Sequence, residues 1–194
     1  MLALTREPFA RLLDALQDAL STIPSSSERA SRDSRGRAKV LGNAAAFKAA
    51  AVSGALAIPP GPAGLLTLVP DLFLIWKIQG QMVSDVAAAY GKTAFLTREG
   101  LIHCLFKHAA AQAVRGMVVR SGERLLIRRA SSELFERALE RVGVSVSERL
   151  ASKALSRWVP VLGAVGVGAY AYYDTTRIAR TAIETFTSDV AVGD

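Results

Sequence analysis

The stretch "AIPPGPAGLLTLVPDL", residues 57–72, carries four prolines and two glycines, and no charge interrupts the chain between Lys48 and Asp71. A helix that spans a bilayer needs roughly 20 apolar residues without a break. The uncharged run from Ala49 to Pro70 is 22 residues long, yet Pro59, Pro60 and Pro62 divide it into pieces too short to cross. Each proline removes an amide donor and clashes with the preceding helical turn. The stretch therefore predicts a stiff apolar corner that ends one helix near Ile58 and starts another at Pro70 and Asp71. A proline suits a first helical turn, and a carboxylate there opposes the positive end of the helix dipole.

Working outward, residues 40–58 form an Ala-rich helix in which Ala44 to Ala46, Ala49 to Ala51, Gly54 and Ala55 leave little side-chain bulk. Small residues permit close backbone approach by a neighbouring helix. The helix after the corner runs from about 70 to 90, with Gly91 placed to cap its end. Thr97 and Glu99 begin a further helix to about 114. Segments 120–143 and 147–158 also show helical spacing, and "VPVLGAVGVGAYAYY" (159–173) is a second Gly/Ala-rich apolar run, continuing helically to about 187. Its uncharged core, Trp158 to Tyr173, has 16 residues and is likewise too short to span. At the other end, Phe9, Leu12, Leu13, Leu16 and Leu20 mark an amphipathic helix closed by Pro24. Residues 25–39, "SSSERASRDSRGRAK", contain nothing more apolar than Ala and read as an exposed, mobile linker.

These elements predict an all-α chain: a single-domain multi-helix bundle with two buried Gly/Ala/Pro-rich apolar helical segments. Its expected parts are an N-terminal helix (1–24), a Ser/Arg-rich linker (25–39), a helical domain (40–187) and a short tail (188–194). The net charge is +7, and the excess concentrates in 113–157, where ten Lys or Arg face five Glu. Cys104 is the single cysteine, so no internal disulfide forms and a reducing compartment suits the chain. The first 20 residues mix acids and arginines with leucines and lack an unbroken apolar centre, unlike a secretory signal. The expected location is the cytoplasm, with a peripheral position at the inner face of the cell membrane.

Candidate chemistry is sparse. Arg120, Arg124 and Arg128 repeat at four-residue intervals with Arg129 beside them, which on a helix makes a basic stripe suited to anionic lipid. Nucleic acid is a poorer fit, since no helix-turn-helix or aromatic stacking platform accompanies the stripe. Cys104 and His108 stand at i, i+4 on a predicted helix; two such groups do not make a metal site, and a core position is the commoner outcome. Asp71 and Asp85 share a predicted helix face with Leu74, Ile75, Ile78 and Met82 but lie some 20 Å apart at the helical rise per residue, too far to act on one bond. Either acid is instead suited to pairing with a buried arginine such as Arg177. No Gly-rich phosphate loop, nucleophile elbow or paired zinc ligands occur, so no catalytic residue, metal or cofactor is assigned.

The series "PGPAGLLTLVPDLFLIWKIQGQMVSDVAAAYG" and the later "LSRWVPVLGAVGVGAYAYYDTTRIARTAIETF" together resemble the bacterial EcsC family. The matching positions are Pro62, Gly64, Pro70, Asp71, Leu72, Gln79, Met82, Ala87, Tyr90 and Gly91, then Pro160, Val161, Gly163, Ala164, Thr176 and Arg177. They cover roughly residues 40–187. Asp174 departs from the pattern, which often has Asn there. The resemblance implies an all-helical domain of bacterial origin and a peripheral role at the membrane; it supplies no catalytic residues. The expected function is a non-enzymatic helical module that meets a membrane surface, a lipid or a membrane-protein partner. Its rivals are a small-molecule binder or enzyme with a pocket of Pro70, Asp71, Gln79, Met82, Tyr90 and Arg177, and a hairpin that inserts into the bilayer.

Overall fold

The computed structural model describes residues 22–56, 68–108, 118–121, 124–128, 137, 140–141, 144 and 160–193, with backbone alone at 56, 68–72, 118–121, 124–128, 160–164 and 189–193. The predicted helices within 1–21 and 145–159, and the corner 57–67, lie outside the described residues. The fold is all-α in its core, as the composition predicts. Among the described residues four helices carry it: α1 (Ser34–Leu56), α2 (Leu68–Ala89), α3 (Arg98–Phe106) and α4 (Pro160–Thr187).

The two Gly/Ala segments pack against each other. On α1, Ala38, Gly42, Ala46, Ala49 and Ser53 are buried; on α4, Gly168, Ala171, Thr175, Ile178, Ala182 and Phe186 are buried. Steps of three and four place each set on one helix face. A Cβ built on Gly42 would stand 2.7 Å from the Ala179 Cβ, and one on Gly168 would stand 3.0 Å from the Ala50 carbonyl oxygen. The paired positions descend on one helix as they ascend on the other, so α1 and α4 are antiparallel and their backbones nearly touch.

Helix α2 lies against both. Ala49, Ile75 and Ala171 form a small cluster where the three meet, with Ile78 packed on it. The larger core joins Trp76, Met82, Val83 and Val86 of α2 to Leu101, Ile102, Leu105 and Phe106 of α3 and to Ile178, Ala182 and Phe186 of α4. Trp76 and Phe106 meet edge to face at 5.8 Å between ring centroids, a favoured aromatic geometry. The predicted face of α2 is displaced: Leu74 is exposed and Ile78 half-buried, while Trp76 and Val83 turn inward. Two packing partners, rather than one, widen the buried arc of this helix.

Helix ends follow local chemistry. Pro70 sits in the first turn of α2, which begins two residues earlier than the proline suggests. At the other end Gly91 adopts φ +67°. Its amide donates to the Ala88 carbonyl and the Lys92 amide to the Ala87 carbonyl, each at 2.8 Å, the paired bonds of a Schellman cap. Thr97 caps α3 by accepting the Gly100 amide.

Residues 25–39 depart from the expected mobile linker. Asp33 accepts the Gly36 amide at 2.9 Å and so caps α1, which starts at Ser34 rather than near 40. The extended segment before it is tied to α2: Ser26 donates to Asp85 at 2.6 Å, Ser84 to the Pro24 carbonyl at 2.5 Å, and the Ser31 amide to the Ala89 carbonyl at 2.9 Å. Ile23 packs on the core. Beyond Ile23 it is mainly polar bonds that hold the segment, which is why its composition gave no sign of order.

Residues 118–121 and 124–128 are also not helical. Val118–Ser121 (β1) pairs antiparallel with Arg124–Arg128 (β2), and β2 pairs in parallel with Asp189–Gly193 (β3), within the expected tail. This three-stranded sheet lies beside α3. Its cause is non-local, since β2 finds its partner across the whole of α4, and Val118, Val119, Ile127, Val190 and Val192 suit a pleated surface.

Glycines of α1 and α4 test this packing. Gly42→Ala is expected to lower stability by about 1–3 kcal/mol through overpacking. Gly166→Ala, where an added Cβ meets nothing within 4 Å, is expected to raise it by up to about 1 kcal/mol through helix propensity. Urea midpoints of the two variants, moving in opposite directions, provide the check.

Candidate functional site

Helix α4 presents buried hydroxyls to both of its polar neighbours. Thr175, Thr181 and Thr185 are all buried on it. Toward α2, the Gln79 amide donates to Thr175 Oγ1 at 3.1 Å and to Asp174 Oδ2 at 3.2 Å. Toward α3, Cys104 Sγ lies 3.9 Å from Thr185 Oγ1, and His108 Nε2 lies 2.8 Å from Thr181 Oγ1. The i, i+4 spacing of Cys104 and His108 thus matches the i, i+4 spacing of Thr185 and Thr181 on an antiparallel helix. The pair is a structural contact. Complete burial pushes the Cys104 thiol up to about 12, chiefly by desolvation, so the thiolate needed for nucleophilic attack is not available near neutrality. Among the described residues no group of three His, Cys, Asp or Glu is placed to hold a metal ion.

The proposed pocket residues do not converge. Gln79 is buried against Asp174 and Thr175, whereas the Tyr90 hydroxyl, 11 residues further along α2, accepts from Thr187 at 2.9 Å. At the helical rise those two contacts are about 16 Å apart. Met82 is a core side chain. Pro70 and Asp71 are placed in the first turn of α2 by backbone alone. Asp85 does not pair with Arg177; it accepts from Ser26 and from Gln81. Gln79 remains the notable member, because it joins α2 to α4 through Thr175 and Asp174, 96 and 95 positions away in the chain.

The basic stripe is broken up by the strands. Arg120 lies on β1 opposite Leu125, while Arg124 and Arg128 lie on β2. Directly paired positions share a side of the sheet, and alternate positions along a strand share a side. Position 120 is therefore on the opposite side from positions 124 and 128. Arg129 lies outside the described residues.

What the sequence reading missed is on the outer side of the α1–α4 pair. Val40 (57 %) and Phe47 (67 %) of α1 and Val165 (68 %) and Tyr173 (56 %) of α4 are exposed. Ala44, Ala51 and Ala55 extend the α1 stripe, and Ala169 extends that of α4. Phe47 and Tyr172 meet edge to face at 5.1 Å, linking the two stripes across the helix seam. One turn beyond Tyr173, the Arg177 guanidinium sits 5.5 Å from its ring centroid, a cation–π distance. Arg180 is exposed three residues further on, and Lys48 adjoins Phe47. The missed signal was the three- and four-residue spacing of Val40, Ala44, Phe47, Ala51 and Ala55, hidden because the small residues on the opposite side are also apolar.

No family model, curated protein or solved structure matches the chain. Among the described residues no helix is long and apolar enough to cross a membrane.

His103 of α3 and His108 just beyond it set a pH dependence. Burial, then Lys107 and His108, hold His103 down at about 4, and its Nδ1 is buried without a hydrogen-bond partner. The unfolded chain binds that proton near the ordinary 6.5, so stability is full above that value and falls as pH drops toward 4. The loss is on the order of 3 kcal/mol. Burial lowers His108 as well, which adds in the same direction. Urea midpoints between pH 7.5 and 4 should trace the decline, and His103→Gln should flatten most of it.

Proposed function

We propose that this chain is an EcsC-like helical module, non-enzymatic, that associates peripherally with a membrane surface through the outer side of the α1–α4 pair. The observation that carries the reading is the exposed stripe of Val40, Phe47, Val165 and Tyr173, linked across the seam by the Phe47–Tyr172 contact. Single exposed apolar residues are ordinary, but a contiguous exposed patch marks an interaction surface. Here the patch is aromatic as well as aliphatic, and Lys48, Arg177 and Arg180 border it. Apolar side chains, aromatic rings and cations in succession match the composition of the bilayer interface. The prolines of 57–67 support a peripheral mode, because they bar one continuous span through that segment. The Gln79–Thr175 contact supports a packing role for the most conspicuous buried polar side chain, which leaves catalysis without a defined centre.

Flotation with phosphatidylcholine vesicles tests the reading. The protein is expected to rise with the vesicles, and Phe47→Ser combined with Val165→Ser to remain at the bottom of the gradient while keeping its helical circular dichroism. Both residues are exposed, so the substitutions leave the core intact. Flotation by the double variant at the level of the parent protein would sink the proposal.

A further inference from the structure

Charges along the C-terminal half of α4 are unevenly satisfied. Lys107 is paired with Glu184 at 3.6 Å. Asp174 accepts from Gln79. His108 is engaged by Thr181, and burial together with the nearby Arg177 and Lys107 holds it below its ordinary range, so it adds no charge near neutrality. Arg177 and Arg180 remain, three residues apart on α4, and neither makes an ion pair with a described residue. Arg177 is half-buried and its guanidinium lies over the exposed Tyr173 ring. A stacked guanidinium loses side-chain freedom before any ligand arrives and keeps its fork of donors for an oxyanion. Positions three apart on a helix are neighbours, so both arginines can reach one group.

We infer that Arg177 and Arg180, with Tyr173 beneath the first of them, form a phosphate-recognition centre at the border of the exposed α1–α4 patch. In the surface reading, on which this inference rests for its ligand source, the phosphate is that of an anionic lipid headgroup. The patch residues Val165 and Tyr173 lie N-terminal to the arginines on the same helix, so apolar, aromatic and cationic groups follow in order along about 18 Å of α4 between positions 165 and 177. Two guanidinium groups suit the charge and geometry of a phosphate better than those of a zwitterionic headgroup, whose ammonium they repel.

The test compares flotation of the full chain with vesicles of phosphatidylcholine alone and of phosphatidylcholine mixed with phosphatidic acid. A parallel titration follows the Tyr173 and arginine side-chain NMR signals with glycerol 3-phosphate, with glycerol as control. The parent protein is expected to prefer the phosphatidic acid vesicles. Arg177→Gln and Arg180→Gln should each weaken that preference about fivefold, the worth of one cation at an anionic surface. Arg177→Lys should recover part of the loss. Arg35→Gln, an equal change of net charge on an exposed residue near the start of α1, should cost much less. An undiminished preference in the Gln variants, or an equal loss in Arg35→Gln, overturns the inference while leaving the surface reading intact. Arginine-dependent binding of glycerol 3-phosphate without flotation on either vesicle keeps the phosphate centre, assigns it a soluble ligand and defeats the surface reading. Absence of both kinds of binding overturns the two together.

Discussion

The near-contact of two helix backbones at Gly42 with Ala179, and at Gly168 with Ala50, governs the rest of the molecule. Side chains of ordinary size at those positions would push the axes apart, and α2 would no longer reach both helices at once. With the axes close, Ala49, Ile75 and Ala171 can share one cluster, and Gln79 can reach from α2 to Thr175. The same closeness leaves little room for large side chains between α1 and α4. The bulky residues of this pair therefore stand at its edges: Phe186 and Ile178 turn toward α2 and α3, and Phe47, Val165 and Tyr173 turn outward.

The polar interior follows from the same geometry. Threonines fit where a small side chain is needed, and their hydroxyls require partners once buried. Gln79, Cys104 and His108 supply them from two different helices. Such bonds contribute modestly when made and cost more when one partner is lost. They fix the rotation of α4 about its own axis, which decides which of its faces looks outward, and hence where Tyr173 and Arg177 point.

The legible parts of the fold were those written in local chemistry. Gly91 fixed the end of α2, and Thr97 the start of α3, because caps depend on a few consecutive residues. Residues 118–128 misled, since their four-residue spacing of arginines fits a helix while their strand state depends on pairing with 189–193. Segment 25–33 was opaque for a related reason: its order comes from hydrogen bonds to residues some 60 positions away, such as Ser26 to Asp85. Of the candidate site, Arg177 was singled out in the sequence as a pocket residue beside Gln79, and the exposed Phe47 stripe was not seen, because an Ala-rich helix offers no contrast between its faces.

The glycine and alanine seam also bears on how the chain is made. It closes residue 42 onto residue 179, so α1 leaves the ribosome long before its partner exists. During that interval its inward face consists of Ala38, Gly42, Ala46, Ala49 and Ser53. Those residues bury little apolar area each, and the drive toward wrong association scales with apolar area exposed. A leucine-lined seam would hold the finished bundle together at greater axial distance, but it would present a sticky surface to every neighbouring nascent chain. The small side chains that permit the tightest contact in the folded protein are thus the ones that make waiting for that contact safe.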